Sequence, residues 1–139
     1  MRRIIQFIVI AAVFGLGASA FAAEKEKKET VLKTISSRDA YKLIQAEKGN
    51  TNFLLLDIRT SDEFKMSHIN GAVNIDFYAE NFRDQLDQLV KTKKILIYCR
   101  TGNRSGKTLP VMSELGFREV YNMAGGIKDW ELNGYEVVQ

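Results

Sequence analysis

The chain has 139 residues, 45% of them hydrophobic and 27% charged. That fits one globular domain and excludes a disordered or collagen-like chain. A net charge of +3 is too small to mark a nucleic-acid binder. A single Cys excludes an intramolecular disulfide, and one Cys with one His argues against a structural zinc site.

Arg2 and Arg3 precede an apolar run, Ile4 to Leu16, interrupted only by Gln6 and Gly15. Small residues follow, and Ala20-Phe21-Ala22 offers a cleavage site, with Ala18-Ser19-Ala20 as a second. This order predicts a signal peptide over residues 1–22 and an exported, periplasmic protein. The alternative is a membrane anchor through residues 4–22, a segment about long enough to span a bilayer. Against it, Glu24–Glu29 has three Lys and three Glu, with no basic excess to hold that flank on the cytoplasmic side. With Arg2 and Arg3 set aside, the rest of the chain has an excess of one positive charge. Residues 23–33 read as a charged linker and residues 34–139 as the folded domain.

Ser36 or Ser37 is placed to cap a helix through Arg38–Lys48, with Gly49 as its stop. The apolar run from Phe53 to Ile58 predicts a strand buried on both faces. A short helix over Ser61–Met66 and a short strand over Ala72–Ile75 come next. Phe82, Leu86, Leu89 and Val90 then fall on one helical face. Lys94–Tyr98 is a second buried strand, running into Cys99, a polar loop and a helix that ends at Leu115-Gly116. Phe117–Tyr121 is the last expected strand, before Gly125-Gly126 and a helix around Trp130. Alternating strands and helices predict an α/β fold, a parallel sheet covered on both faces. Ligands of such sheets bind beyond the carboxyl ends of the strands, where Cys99 falls.

The loop reads Cys99-Arg100-Thr101-Gly102-Asn103-Arg104-Ser105-Gly106. A free thiol with a pKa near 8.5 is only about 3% thiolate at pH 7, and two units of depression cost about 2.7 kcal/mol. A strand-to-helix turn supplies that through converging backbone N–H groups and the positive end of the helix. Gly102 and Gly106 let the turn close, Thr101 and Ser105 add hydroxyl donors, and Arg100, Arg104 and Lys107 bring positive charge for an anionic substrate. The plainer alternative makes Cys99 a small buried hydrophobe. The polar, cationic loop favours a reactive thiol, and a lone thiol in an oxidising compartment is a liability unless used.

These residues resemble the active-site loop of the rhodanese family of sulfurtransferases. Leu56-Asp57-Ile58-Arg59 with Glu63-Phe64, then His68-Ile69-Asn70-Gly71-Ala72, resembles the family's upstream signature, and Gly125-Gly126-Ile127 with Trp130 its C-terminal one. The three motifs occur in order across residues 34–139. The resemblance implies a rhodanese-like, five-stranded parallel sheet with helices on both faces. It also implies Cys99 as nucleophile, a persulfide intermediate and no metal or cofactor. Residues 100–105 (Arg100, Thr101, Gly102, Asn103, Arg104 and Ser105) would cradle the sulfur. The implied partners are a small anionic sulfur donor such as thiosulfate and a thiol or cyanide acceptor. No nucleic acid is expected, and a membrane only if the leader is uncleaved.

Other activities share such a thiol. A non-enzymatic persulfide carrier would use the same Cys99. Cysteine phosphatases resemble the loop but place Arg six positions after the Cys; here position 105 is Ser and the nearest Arg, 104, is one residue early. A phosphatase or arsenate reductase is therefore disfavoured. Two departures from the family pattern stand out: Ser67 where a Gly commonly precedes the His, and Pro110 within the helix after the loop, where it removes one hydrogen bond and threatens a kink. His68 reads as scaffold rather than a base for Cys99. Asp57, Arg59 and Glu63 read as a structural ion-pair network, Gly125-Gly126 as a tight turn and Trp130 as core.

Overall fold

A computed structural model describes residues 29–139. The expected signal peptide (1–22) and linker residues 23–28 lie outside the described residues. Ten elements follow in order: β1 (Val31–Ile35), α1 (Ser37–Ala46), β2 (Phe53–Asp57), α2 (Ser61–Met66), β3 (Val73–Asn74), α3 (Phe82–Asp87), β4 (Lys94–Tyr98), α4 (Asn103–Glu114), β5 (Glu119–Met123) and α5 (Gly126–Leu132). The five strands form one sheet in the order β1-β5-β4-β2-β3, every pair parallel. The expected fold class holds.

The strand β4 shows why the sheet is sandwiched. Ile95, Ile97 and Cys99 point into one core with Leu86 of α3 and Met112 of α4. Leu96 and Tyr98 point into another, with Ala40 of α1 and Ile127 and Trp130 of α5. A strand flanked on both sides has no polar face, so after Lys94 at its start its sequence is apolar through Tyr98. Ile95, Leu96, Ile97 and Tyr98 are all 0% exposed. At about 1.5–3 kcal/mol per buried large apolar side chain, this strand anchors the fold and fixes the place of the residue after it.

The boundaries of β1 and β5 differ from the sequence reading, as do, by one or two residues, the ends of α1 (Ala46, not Lys48) and of β3 (Val73–Asn74, not Ala72–Ile75). The expected linker runs to residue 33, but Val31, Leu32 and Lys33 belong to β1 and pair with Glu119, Val120 and Tyr121. As an edge strand, β1 is only half-buried, so it lacks the continuous apolar run that marks β2 and β4. The final strand begins at Glu119 rather than Phe117. Phe117 instead completes the cap of α4: its N–H donates to the Met112 carbonyl at 3.0 Å, and Gly116, at φ 86°, donates to Ser113 at 3.0 Å. This pair of bonds is a Schellman motif, and the buried Phe117 is its hydrophobic contact.

The helix α4 runs through Pro110 from Asn103 to Glu114. α3 stops at Asp87, leaving Val90 55% exposed, so only Phe82, Leu86 and Leu89 of the expected stripe face the core. Ser67 has φ −168°, ψ 148°, extended backbone that needs no Gly. The chain closes on itself near its end: His68 and Val138 exchange N–H···O bonds of 2.8 Å each.

Candidate active site

Cys99 immediately follows β4, at the carboxyl edge of the sheet, and is 1% exposed. Its Sγ accepts the Gly102 N–H at 3.1 Å and the Ser105 hydroxyl at 3.3 Å. Burial pushes the thiol up. Against that, the Ser105 hydroxyl and the backbone N–H groups of Ser105, Thr101 and Gly102 all stabilise the thiolate, and together they hold Cys99 below its ordinary pKa.

Local chain chemistry builds this cradle. Gly102 takes φ 92° as the N-cap of α4, and a Cβ there would lie 3.1 Å from the Gly125 nitrogen and 3.3 Å from the Met123 carbonyl oxygen. Only Gly accepts both the conformation and the crowding. The helix then starts at once, its first closing bond running from the Gly106 N–H to the Gly102 carbonyl at 3.0 Å. Ser105, fully buried on the first turn, thereby faces back onto the sulfur.

The carbonyls of the loop must point away from the thiolate, and α5 provides for this. Ile127 N–H donates to the Cys99 carbonyl at 2.9 Å, and Lys128 N–H to that of Arg100 at 3.1 Å. Gly126, at φ 61°, lets the two segments touch; a Cβ there would lie 2.4 Å from both the carbonyl carbon and oxygen of Arg100. The pair Gly125-Gly126 is the tight turn the sequence suggested, and it is also the backstop of the loop. The sequence signal was the glycine pair itself, but its partner lies 26 residues upstream and is invisible to local pattern.

Of the six expected cradle residues, the structure brings Thr101, Gly102 and Ser105 to the sulfur. Asn103 is exposed and Arg100 presents its backbone to α5 with its side chain in solvent. Arg104 turns elsewhere. Its two terminal nitrogens donate to Glu63 Oε1 and Oε2, both at 3.0 Å, and its guanidinium carbon lies 5.6 Å from the centroid of the Tyr78 ring. The expected Asp57–Arg59–Glu63 network is thus split. Asp57 and Arg59 form their own buried pair at 2.7 Å, with Asp57 Oδ1 also accepting the Arg59 N–H at 2.8 Å. Glu63 belongs to Arg104, whose hydrogen bonds draw its carboxyl down to about 2. Thr60-x-x-Glu63, a capping-box spacing legible in the sequence, explains why Glu63 is held in place.

His68 makes no pair with Cys99. Its ring stacks on Phe64 at 3.9 Å, and Nδ1–H donates to the Phe64 carbonyl at 3.0 Å. Trp130 is core, donating through Nε1 to the Glu136 carbonyl at 2.9 Å. A groove of about 700 Å³ lined by Tyr41, Ile44, Phe53, Ile69, Trp130 and Tyr135 includes no residue of the Cys99 loop.

Comparison with known proteins agrees with this geometry. Residues 37–133 match the profile of the rhodanese-like domain. The chain is 32% identical over 74 residues to the thiosulfate sulfurtransferase PspE of Escherichia coli (strain K12), covering 53% of this chain and 70% of that protein. It is 38% identical over 89 residues to the tRNA uridine(34) hydroxylase of Cytophaga hutchinsonii, covering 60% of this chain but only 28% of that longer protein. A solved rhodanese-related protein from Thermoplasma volcanium superposes with a TM-score of 0.65 at 31% identity, covering 76% of this chain and 97% of that one.

Proposed function

The chain belongs to the rhodanese-like domain family, and on that premise we propose that it is a sulfurtransferase that moves a sulfane sulfur through a Cys99 persulfide. The observation that carries this reading is the buried Cys99 Sγ ringed by hydrogen-bond donors, with its pKa lowered. In the first half-reaction the Cys99 thiolate attacks the outer sulfur of thiosulfate. The bond between that sulfur and the sulfonate breaks, and its electron pair leaves with sulfite. In the second half, cyanide or a thiolate attacks the outer sulfur of the persulfide, and the bond to Cys99 Sγ breaks to return the thiolate. Electrons balance across the cycle without an outside oxidant or a metal.

The cradle serves both halves. The N–H groups of Thr101, Gly102 and Ser105 and the Ser105 hydroxyl hold negative charge on sulfur, whether thiolate or terminal persulfide. Ser105, standing where cysteine phosphatases have their arginine, closes the ring with a neutral donor. The site therefore has no cation inside the loop for a tetrahedral phosphate dianion.

The test is a thiosulfate-to-cyanide assay on the wild type and Cys99→Ser. The wild type should turn over and Cys99→Ser should be inactive. Turnover surviving in Cys99→Ser would overturn the nucleophile assignment. A stable Cys99 persulfide without turnover would favour the non-enzymatic carrier.

A further inference from the structure

The residue closest to being an anion-binding cation at this site is already occupied. Arg104 sits on the first turn of α4, one residue before the Ser105 that bonds the sulfur, and its charge interacts with that of Cys99. Yet both its terminal nitrogens are spent on the two oxygens of one carboxylate, Glu63, 41 positions upstream. Glu63 is itself fixed, accepting the Thr60 N–H at 2.9 Å and the Thr60 hydroxyl at 3.0 Å. The pair is largely enclosed, with side-chain exposures of 16% for Arg104 and 29% for Glu63, and the Tyr78 ring lies beside the guanidinium. A two-pronged pair this enclosed is held more firmly than an exposed one and presents almost no net charge to an approaching ion.

We propose that Glu63 is a specificity-determining residue: by pairing both prongs of Arg104 it masks the cation beside Cys99 and disfavours small dianionic donors relative to donors of lower charge. The remaining attraction for an anion then comes from the N–H cradle and from Arg100, which is exposed and makes no ion pair among the described residues. This deepens the sulfur-transfer reading and rests on it for the identity of the substrate. The charge mask itself is a property of the thiol site and is measurable without sulfur transfer.

The probe is the ratio of Cys99 alkylation rates by iodoacetate, an anion, and iodoacetamide, its neutral counterpart, measured with thiosulfate KM on the full chain. Glu63→Gln keeps an oxygen to accept from Thr60 but removes the mask. It should raise the iodoacetate-to-iodoacetamide ratio roughly three-fold or more and lower the KM for thiosulfate, the scale of one partly screened charge. Arg104→Gln should move the ratio the other way, because it strands the Glu63 charge. The double variant Glu63→Gln/Arg104→Gln should return the ratio toward the wild-type value, a reversal that a merely structural role would not produce.

An unchanged ratio in Glu63→Gln, or a double variant no different from Arg104→Gln, overturns the proposal. Should Glu63→Gln fail to fold, Arg104→Gln alone decides, and a ratio that does not fall overturns it. If the ratios shift as stated while the wild type shows no thiosulfate turnover, the mask stands and the sulfur-transfer reading falls. The opposite pattern removes the mask and leaves the chemistry.

Discussion

The Cys99 thiol is where burial and hydrogen bonding compete most directly. Burial alone would make a fully enclosed thiol inert; the donors reverse the outcome. Ser105→Ala deletes the hydroxyl donor and keeps the fold around it. A hydrogen bond to a charged group is worth about 1.5–3 kcal/mol. The alkylation rate of Cys99 at neutral pH should therefore fall several-fold in Ser105→Ala, and its pH profile should shift to higher pH. Glu63 gives a second measurable residue. Its pKa is lowered from an ordinary 4.5 to about 2 in the folded protein, so the unfolded chain binds the proton more readily. Its stabilisation is complete above about pH 4.5 and is lost as pH falls toward 2. Urea titrations should show about 1–2 kcal/mol lost across that window, a figure reduced for solvent screening, and a flatter profile in Glu63→Gln. The direction of the Arg104 side chain was not legible in the sequence, because it is set by Glu63, a partner distant along the chain. That Cys99 lies at a strand end was legible, because Lys94–Tyr98 is apolar at every interior position.

Elements buried on both faces were easiest to read, and elements defined by one neighbour were hardest. β2 and β4 announce themselves by composition. β1 does not, since half of Val31–Ile35 faces outward and its pairing with β5 is a tertiary fact. β5 was displaced by two residues because the apolar Phe117, read as the start of a strand, belongs to the end of a helix. The junction of the Cys99 loop with α5 carries the strongest element-scale prediction. Gly126→Ala places a methyl group against the backbone of Arg100, which has no room to yield, at a positive φ. The variant should lose roughly 3 kcal/mol or more of stability by thermal or urea unfolding. At temperatures where it remains folded, its Cys99 alkylation should slow, because the carbonyls that α5 holds would no longer be turned from the thiolate.

At the scale of the whole molecule, we propose that the chain is exported, on the basic, apolar and small-residue order of residues 1–22. N-terminal sequencing of protein from the extracytoplasmic fraction should begin at or near Ala23. Recovery of Met1 in a membrane-bound form would establish an anchor through residues 4–22 instead. The location bears on the chemistry, since an oxidising compartment gives a lone thiol no internal partner, and enclosure at 1% exposure protects it from larger oxidants.

The sheet order has a consequence for how the chain is made. β1 precedes the other described strands in the chain and, among them, pairs with β5 alone, so its register forms after Glu119–Met123 have been synthesised. Val138 then closes on His68, 70 positions upstream. Contacts between such remote segments carry a loop-closure cost and form slowly. A nascent chain with this wiring cannot complete its sheet until Glu119–Met123 have emerged. On the export proposed above, that delay would be useful: a chain whose sheet is still incomplete is easier to thread through a translocation channel as an extended strand.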